Sequence, residues 1–296
     1  MPRIINRKDF LVKEDSKVNL KKFDTDYTGK QLSKDQAGEL LDQSRKELAK
    51  IQDLLYAHNR HSVLIIFQAM DAAGKDGAIK HVMSGFNPQG VKVVSFKHPS
   101  TAELDHQYLW RHMLALPSHG EIAIHNRSHY ENVLITRVHP EYILSELLPG
   151  IKSVDDIGKD FWQERFKQIR RFEQTLAANG MVIIKFFLHI SKKEQKKRFL
   201  ERIDDPNKNW KFSMSDLKER GHWNDYQEAY EDMLEQTSMK NAPWYVIPAD
   251  DKWFARLAVA DIILDTLKAL DMEYPDVTPA QKKELLKARE TLMQEK

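Results

Sequence analysis

The residues best able to do chemistry form one stretch, Gln68-Ala69-Met70-Asp71-Ala72-Ala73-Gly74-Lys75-Asp76-Gly77. A loop of small residues that follows an apolar run and opens a helix can wrap an anion with backbone N–H groups and the positive helix end. Lys75 would add a point charge on phosphate. The match to the G-x-x-x-x-G-K-[ST] pattern is imperfect, because Ala69 stands at the first glycine and Asp76 at the Mg²⁺-binding hydroxyl. Taken alone, the stretch also fits a tight turn with a surface lysine. Asp71 favours phosphate chemistry, since a carboxylate among phosphate ligands is unfavourable unless it holds a metal. Ala72, Ala73, Gly74, Lys75, Asp76 and Gly77 are therefore phosphate-binding candidates, and Asp71 a candidate Mg²⁺ ligand.

Two further clusters carry related chemistry. His125-Asn126-Arg127-Ser128-His129-Tyr130-Glu131 follows the apolar Ile122-Ala123-Ile124. Ligands of open α/β sheets sit outside the carboxyl ends of the strands, so these residues should face the same crevice as Lys75. The alternative is an ordinary strand-to-helix loop with an asparagine cap. His125 and His129 are four apart, but no His-Glu-x-x-His pattern supports a metal pair. They are read as hydrogen-bonding neighbours of phosphate. The third cluster, Ser191–Asp205, sets Lys192, Lys193, Lys196, Lys197, Arg198 and Arg202 against Glu194 and Glu201. Arg198 and Arg202 share one helical face and could clamp a phosphoryl group in transfer. The lysines fit a solvated basic face equally well.

These clusters need a scaffold, and the hydrophobic pattern predicts one. Short apolar runs at Val63–Phe67, Val91–Phe96, Ile122–Ile124, Met181–Ile190 and Trp244–Ile247 read as strands buried on both faces. Helical patterns separate them at about 77–86, 102–116, 155–179, 192–203 and 252–270. A further helix from Ser33 to about Ala57 precedes the first strand. Ser33/Gln36, Ser100/Glu103 and Ser191/Glu194 have capping-box spacing. Alternating strands and helices predict an α/β fold, a central five-stranded parallel sheet with helices on both faces. Residues 1–31 read as a polar arm packed over the domain. Residues 204–223, with Trp210 and Trp223 among charges, break the alternation and read as a mobile lid. A charged helix at 276–296 either frays or docks against a second subunit. Tyr108, Trp110, Phe161, Trp162 and Phe166 sit at helical spacings and are assigned to the core.

Composition limits the functional classes. Lys plus Arg number 46 against 44 Asp plus Glu, so a general nucleic-acid coat is not expected. The absence of cysteine excludes disulfides, a thiolate nucleophile and Cys-ligated zinc. Hydrophobic residues at 41% and charged residues at 30% are ordinary for a globular domain. No apolar run reaches the roughly 20 residues of a membrane helix, and the N-terminal octet resembles no signal peptide. The expectation is a soluble, cytoplasmic protein without nucleic-acid or membrane partners.

Four motifs in order resemble polyphosphate kinase family 2, over roughly residues 35–270. They are Met70-Asp-Ala-Ala-Gly-Lys-Asp-Gly77 with Lys80, then Phe96-Lys-His-Pro99, then Asn126-Arg-Ser-His-Tyr-Glu131, then Arg198-Phe-Leu-Glu-Arg202. The resemblance implies a P-loop kinase fold at 32–275, Mg²⁺ dependence, and transfer of the terminal phosphoryl of inorganic polyphosphate to AMP or ADP, giving ADP and ATP. It implies that Asp71 is associated with Mg²⁺ and nucleotide phosphates and that Lys75 is the Walker lysine. It implies that Lys80 and Arg127 contact phosphate, and that Arg198 and Arg202 are lid arginines. Lys208 and Lys211, in the lid, join the phosphate-binding candidates. Many members have aspartate at Asn126, and Asn126 with Glu131 resembles the class III branch, which handles both AMP and ADP. A homo-oligomer, dimer or tetramer, is expected. Two other readings compete: an ATP-dependent nucleoside or nucleotide kinase, and a non-catalytic polyanion-binding protein using Lys192–Lys197 and Lys208–Lys211.

Overall fold

The computed structural model describes residues 5–28 and 32–295. The parts of the predicted arm at 1–4 and 29–31 lie outside the described residues, as does residue 296. Five strands form one all-parallel sheet: β1 (Ser62–Ala69), β2 (Val91–Ser95), β3 (Ile122–Asn126), β4 (Met181–His189) and β5 (Trp244–Pro248). Their spatial order is β2-β3-β1-β4-β5. β1 is central, and every one of its eight residues is buried, which explains a run without polar alternation. Val91–Phe96 was expected to be buried on both faces as well. It is instead an edge strand, with Lys92, Val93 and Ser95 exposed.

Among the described residues twelve α-helices accompany the sheet: α1 (Lys34–His58), α2 (Lys75–Val82), α3 (Thr101–Leu104), α4 (Trp110–Met113), α5 (Ile135–Val138), α6 (Glu141–Leu144), α7 (Lys159–Ala178), α8 (Lys192–Asp204), α9 (Met214–Gly221), α10 (Trp223–Thr237), α11 (Lys252–Lys268) and α12 (Pro279–Gln294). α1, α2 and α11 pack together on one side, and α7 packs against β4 and α10. α11 is apolar nearly all round because it lies between other elements, with ten residues buried. The capping boxes at Ser33/Gln36 and Ser100/Glu103 are present, while Ser191 accepts from Glu194 N.

Three expectations need correction. The single helix at 102–116 is two short helices, because α3 stops at Leu104 and a turn through Gln107 restarts the chain at Trp110. The helix over 77–86 starts two residues earlier and ends at Val82, where a 3₁₀ turn takes over. α9 and α10 were not anticipated. Tyr226, Tyr230, Met233 and Leu234 give α10 a buried face that composition alone had hidden among charges.

Residues 5–28 pack against the last strand and its neighbours. Phe10, Val12 and Leu20 are buried, and Val12 N donates to Trp244 O at 2.9 Å while Val246 N donates to Phe10 O at 2.8 Å. The arm thus covers the open edge of β5, a site that would otherwise invite pairing. α12 lies exposed along its length. No helix is long and apolar enough to cross a membrane among the described residues.

Candidate active site

The order of the strands places the site. The chain turns in opposite directions on either side of β1, so a crevice opens at its carboxyl end. The loop from Met70 to Gly74 fills that end. Ala72 (φ +61°) and Gly74 (φ +106°) are both left-handed, which turns successive N–H groups toward one concavity. α2 starts at Lys75, adding its positive end. The Lys75 ammonium donates to Ala69 O at 2.7 Å, folded back onto its own loop. Burial, followed by the nearby Arg127 guanidinium, lowers its pKa to about 8.

β3 delivers its cluster to the same crevice. Arg127 is also left-handed (φ +61°), an uncommon state for a side-chain-bearing residue, and its N–H donates to Phe67 O at 3.1 Å. That turn brings Arg127 Nη2 to 3.1 Å from Asp71 Oδ1. Asn126 Nδ2 donates to Asp76 Oδ1 at 2.7 Å. Burial raises the Glu131 carboxyl above its ordinary range, with Arg127 and Lys75 acting in the other sense. Asp71, Lys75, Asp76, Asn126, Arg127 and Glu131 thus meet in one place.

The arginines of α8 divide. Arg198 is buried, and its five N–H groups all meet protein acceptors: Glu194 Oε1 (2.9 Å), Ala72 O (3.1 Å), Ala73 O (2.9 Å), Ala249 O and Asp250 O (2.7 Å each). A guanidinium has five donors. In this arrangement Arg198 braces the back of the phosphate loop and has no N–H directed at a ligand. Arg202 lies 3.5 Å from Asp216 of α9. Burial raises the Asp216 carboxyl, and so does its proximity to Asp71. Gln195, which the sequence did not single out, donates to Asp71 O at 3.0 Å and accepts from Arg220 of α9 at 2.7 Å. Lys80 is exposed, Lys208 pairs with Asp205, and Lys211 lies over Trp210. No contact ties these three lysines to the loop among the described residues.

The histidines are not neighbours of phosphate as expected. His125 and His129 are buried with His112 beneath the loop, where His125 Nε2 meets Ala115 O and His129 Nε2 meets Glu173. Burial lowers His125 to about 4, so it is neutral at physiological pH.

A cavity of about 210 Å³ opens beside the loop, walled by Phe96, Pro99, Tyr108, Ile135 and Tyr142, with Arg127 and Glu131 where it meets the crevice. Trp162 and Phe166 are core residues, as expected. Tyr108 instead forms a cavity wall, its ring 4.0 Å from the Arg165 guanidinium, which Glu146 holds by two hydrogen bonds. Its buried hydroxyl has no hydrogen-bond partner among the described residues. The helical spacing that assigned Tyr108 to the core failed because the helix itself is interrupted there. Phe96-Lys-His-Pro99 was the available signal: a proline just past a strand end, where ligands collect.

A family model described as polyphosphate kinase 2 matches residues 31–275. The ADP-polyphosphate phosphotransferase of Rhodopseudomonas palustris is 54% identical over 289 residues, covering 98% of this chain and 99% of that protein. The AMP/ADP-polyphosphate phosphotransferase of Meiothermus ruber is 46% identical over 277 residues, covering 93% and 98%. Among solved structures, polyphosphate kinase 2 from Arthrobacter aurescens superposes with a TM-score of 0.81 at 37% identity, covering 94% of this chain and 98% of that one.

Proposed function

The chain belongs to the polyphosphate kinase 2 family, and on that premise we propose that it moves the terminal phosphoryl of inorganic polyphosphate to AMP and ADP, forming ADP and ATP. The observation that carries the reading is the junction of two compartments at Lys75 and Arg127. On one side is a concave loop suited to a phosphate chain, and on the other an apolar cavity suited to a nucleobase.

Both substrates are polyanions, so the barrier is chiefly one of alignment and charge. The loop N–H groups and Lys75 would hold the donor's terminal phosphates. Lys75 would exchange its bond to Ala69 O for a phosphate oxygen. Arg127, reaching from β3, would span donor and acceptor and stabilise the charge of the group in flight. Asn126 places an amide where a carboxylate would repel both Asp76 and the acceptor phosphate, which supports use of AMP as well as ADP. Residues 204–223 act as a lid, with Arg202 carried on α8 beneath it and Lys208 and Lys211 on its outer part. Arg198 serves as the brace of the loop rather than as a phosphate ligand.

Asp71 is the residue that would hold Mg²⁺. Its half-exposed carboxylate gives one oxygen to Arg127 and faces the crevice. A cation there would be held by this one carboxylate and substrate phosphates. Bound there, Mg²⁺ would offset phosphate charge.

The test is donor choice. Purified protein with polyphosphate, Mg²⁺ and AMP or ADP, without ATP, should yield ADP and ATP. A product that forms only when ATP is supplied would replace this reading with an ATP-dependent kinase. Binding of polyphosphate without any nucleotide product would reduce the protein to a polyanion binder.

A further inference from the structure

With all five donors of Arg198 occupied, the guanidinium available beside the phosphate loop is a different one. Arg256, on the second turn of α11, lies against the first turn of α2: its Nη2 is 3.6 Å from where a Cβ on Gly77 would stand. Among the described residues its buried Nε has no hydrogen-bond partner. Burial lowers the Arg256 pKa, then the proximity of Arg45 and Arg198. Lys252, one turn earlier on α11, is lowered by burial and then by Arg198, with Glu194 and Glu201 acting in the opposite sense. Arg45 has partners in His81 O and Asp42.

A guanidinium whose buried Nε has no partner is unfavourably placed until an acceptor, best an anion, joins it. The position specifies which anion. The nucleobase cavity opens on the β2–β3 side of the loop, whereas Arg256 follows β5 and packs with α2. A ligand reaching Arg256 from Lys75 must run past Gly77, away from the cavity. Gly77 has no side chain to block that path.

We propose that Arg256, with Lys252 beside it, binds a non-reacting phosphate of the donor chain, one or more units behind the transferred group, and so favours long polyphosphate over short. This rests on the reading of the protein as a polyphosphate phosphotransferase. Arg256 would make charge-assisted hydrogen bonds to the chain, and Lys252 would add a point charge.

The test uses the full-length chain with Arg256→Gln, Arg256→Lys and Lys252→Gln, each checked for an unchanged unfolding midpoint. Loss of one charge-assisted contact should raise KM for long-chain polyphosphate about tenfold in Arg256→Gln, exceeding any fall in kcat. KM for ADP should stay within about twofold, since the cavity side is untouched. Arg256→Lys should fall between wild type and Arg256→Gln, and Lys252→Gln should show a smaller rise. A KM for polyphosphate unchanged in folded Arg256→Gln overturns the proposal, as does a rise confined to ADP. Titration calorimetry with long-chain polyphosphate separates this from the functional reading. Absence of turnover in wild type would defeat that reading, while equal polyphosphate affinity in wild type and Arg256→Gln would defeat the role of Arg256.

Discussion

Lys75 and Lys185 occupy neighbouring segments of the sheet, one just past β1 and the other within β4, and burial lowers both to about 8. Their surroundings otherwise differ. The Lys185 ammonium donates to Glu173 Oε2 (2.6 Å), Tyr130 Oη (2.8 Å) and Thr237 O (2.8 Å), so its three N–H groups are all placed. Glu173 in turn accepts from Tyr130 and meets His129, which ties α7 and β4 to the turn that carries Arg127 and Glu131. Among the described residues Lys75 has one protein acceptor, the carbonyl of Ala69. Desolvation alone therefore does not mark a functional lysine. What marks Lys75 is desolvation with donors left over, in a concavity lined by N–H groups.

The comparison can be broken most severely at Lys75. Lys75→Ala should lower kcat/KM by about 10³-fold or more, the scale of removing a preorganised charge from a transferring group. Its unfolding midpoint should hold or rise, because a poorly compensated buried charge is removed. Near-normal turnover in the folded variant would end the site assignment.

Lys185→Met should do the reverse. Leaving Glu173 buried without its partner should cost about 3–5 kcal/mol in chemical denaturation. The double variant Lys185→Met with Glu173→Leu should recover part of that loss, since apolar replacements of buried pairs are often tolerated. A single variant as stable as wild type would show the pair to be dispensable.

A milder contrast lies in pH. Phosphate binding should raise the Lys75 pKa from about 8, so the complex holds more protons than the free enzyme. Affinity for polyphosphate must then fall as pH rises through about 8. KM measured from pH 7 to 9.5 should climb, and calorimetry in two buffers should show proton uptake. A flat profile would mean that Lys75 stays charged throughout. The smallest effect is expected from deletion of α12. It lies outside the matched family region and buries none of its residues, so kcat/KM should stay within about twofold. A larger loss in an assay of the truncated chain would give the helix a role in the active assembly.

Much of this architecture was legible from apolar runs and turn chemistry. Val63–Phe67 announced the central strand because only a strand covered on both faces tolerates such a run. Gly74 and Lys75 after it announced the anion loop. Asn126, Arg127 and Glu131 could be placed beside it because strand ends share one edge of a parallel sheet. The misreadings arose where local pattern lacked the deciding information. Arg198 looked like a phosphate clamp because its position on a helix face says nothing about which carbonyls lie opposite. Tyr108 looked like core because a turn at Gln107 is invisible to helical periodicity. His125 and His129 looked like ligands' neighbours, yet their side chains point beneath the loop.

By itself, then, the sequence determined the five strands in chain order, the loop that can bind phosphate, and the family. Those follow from short-range rules: periodicity, caps and backbone permissiveness. The tertiary structure alone decided which cations have donors left for a ligand. Arg198, Arg256, Lys75 and Lys185 differ little in type or local context, and much in the carbonyls and carboxylates that folding brings from tens or hundreds of residues away. Hydrogen-bond capacity is finite for each side chain, and only the folded chain shows where it has already been used.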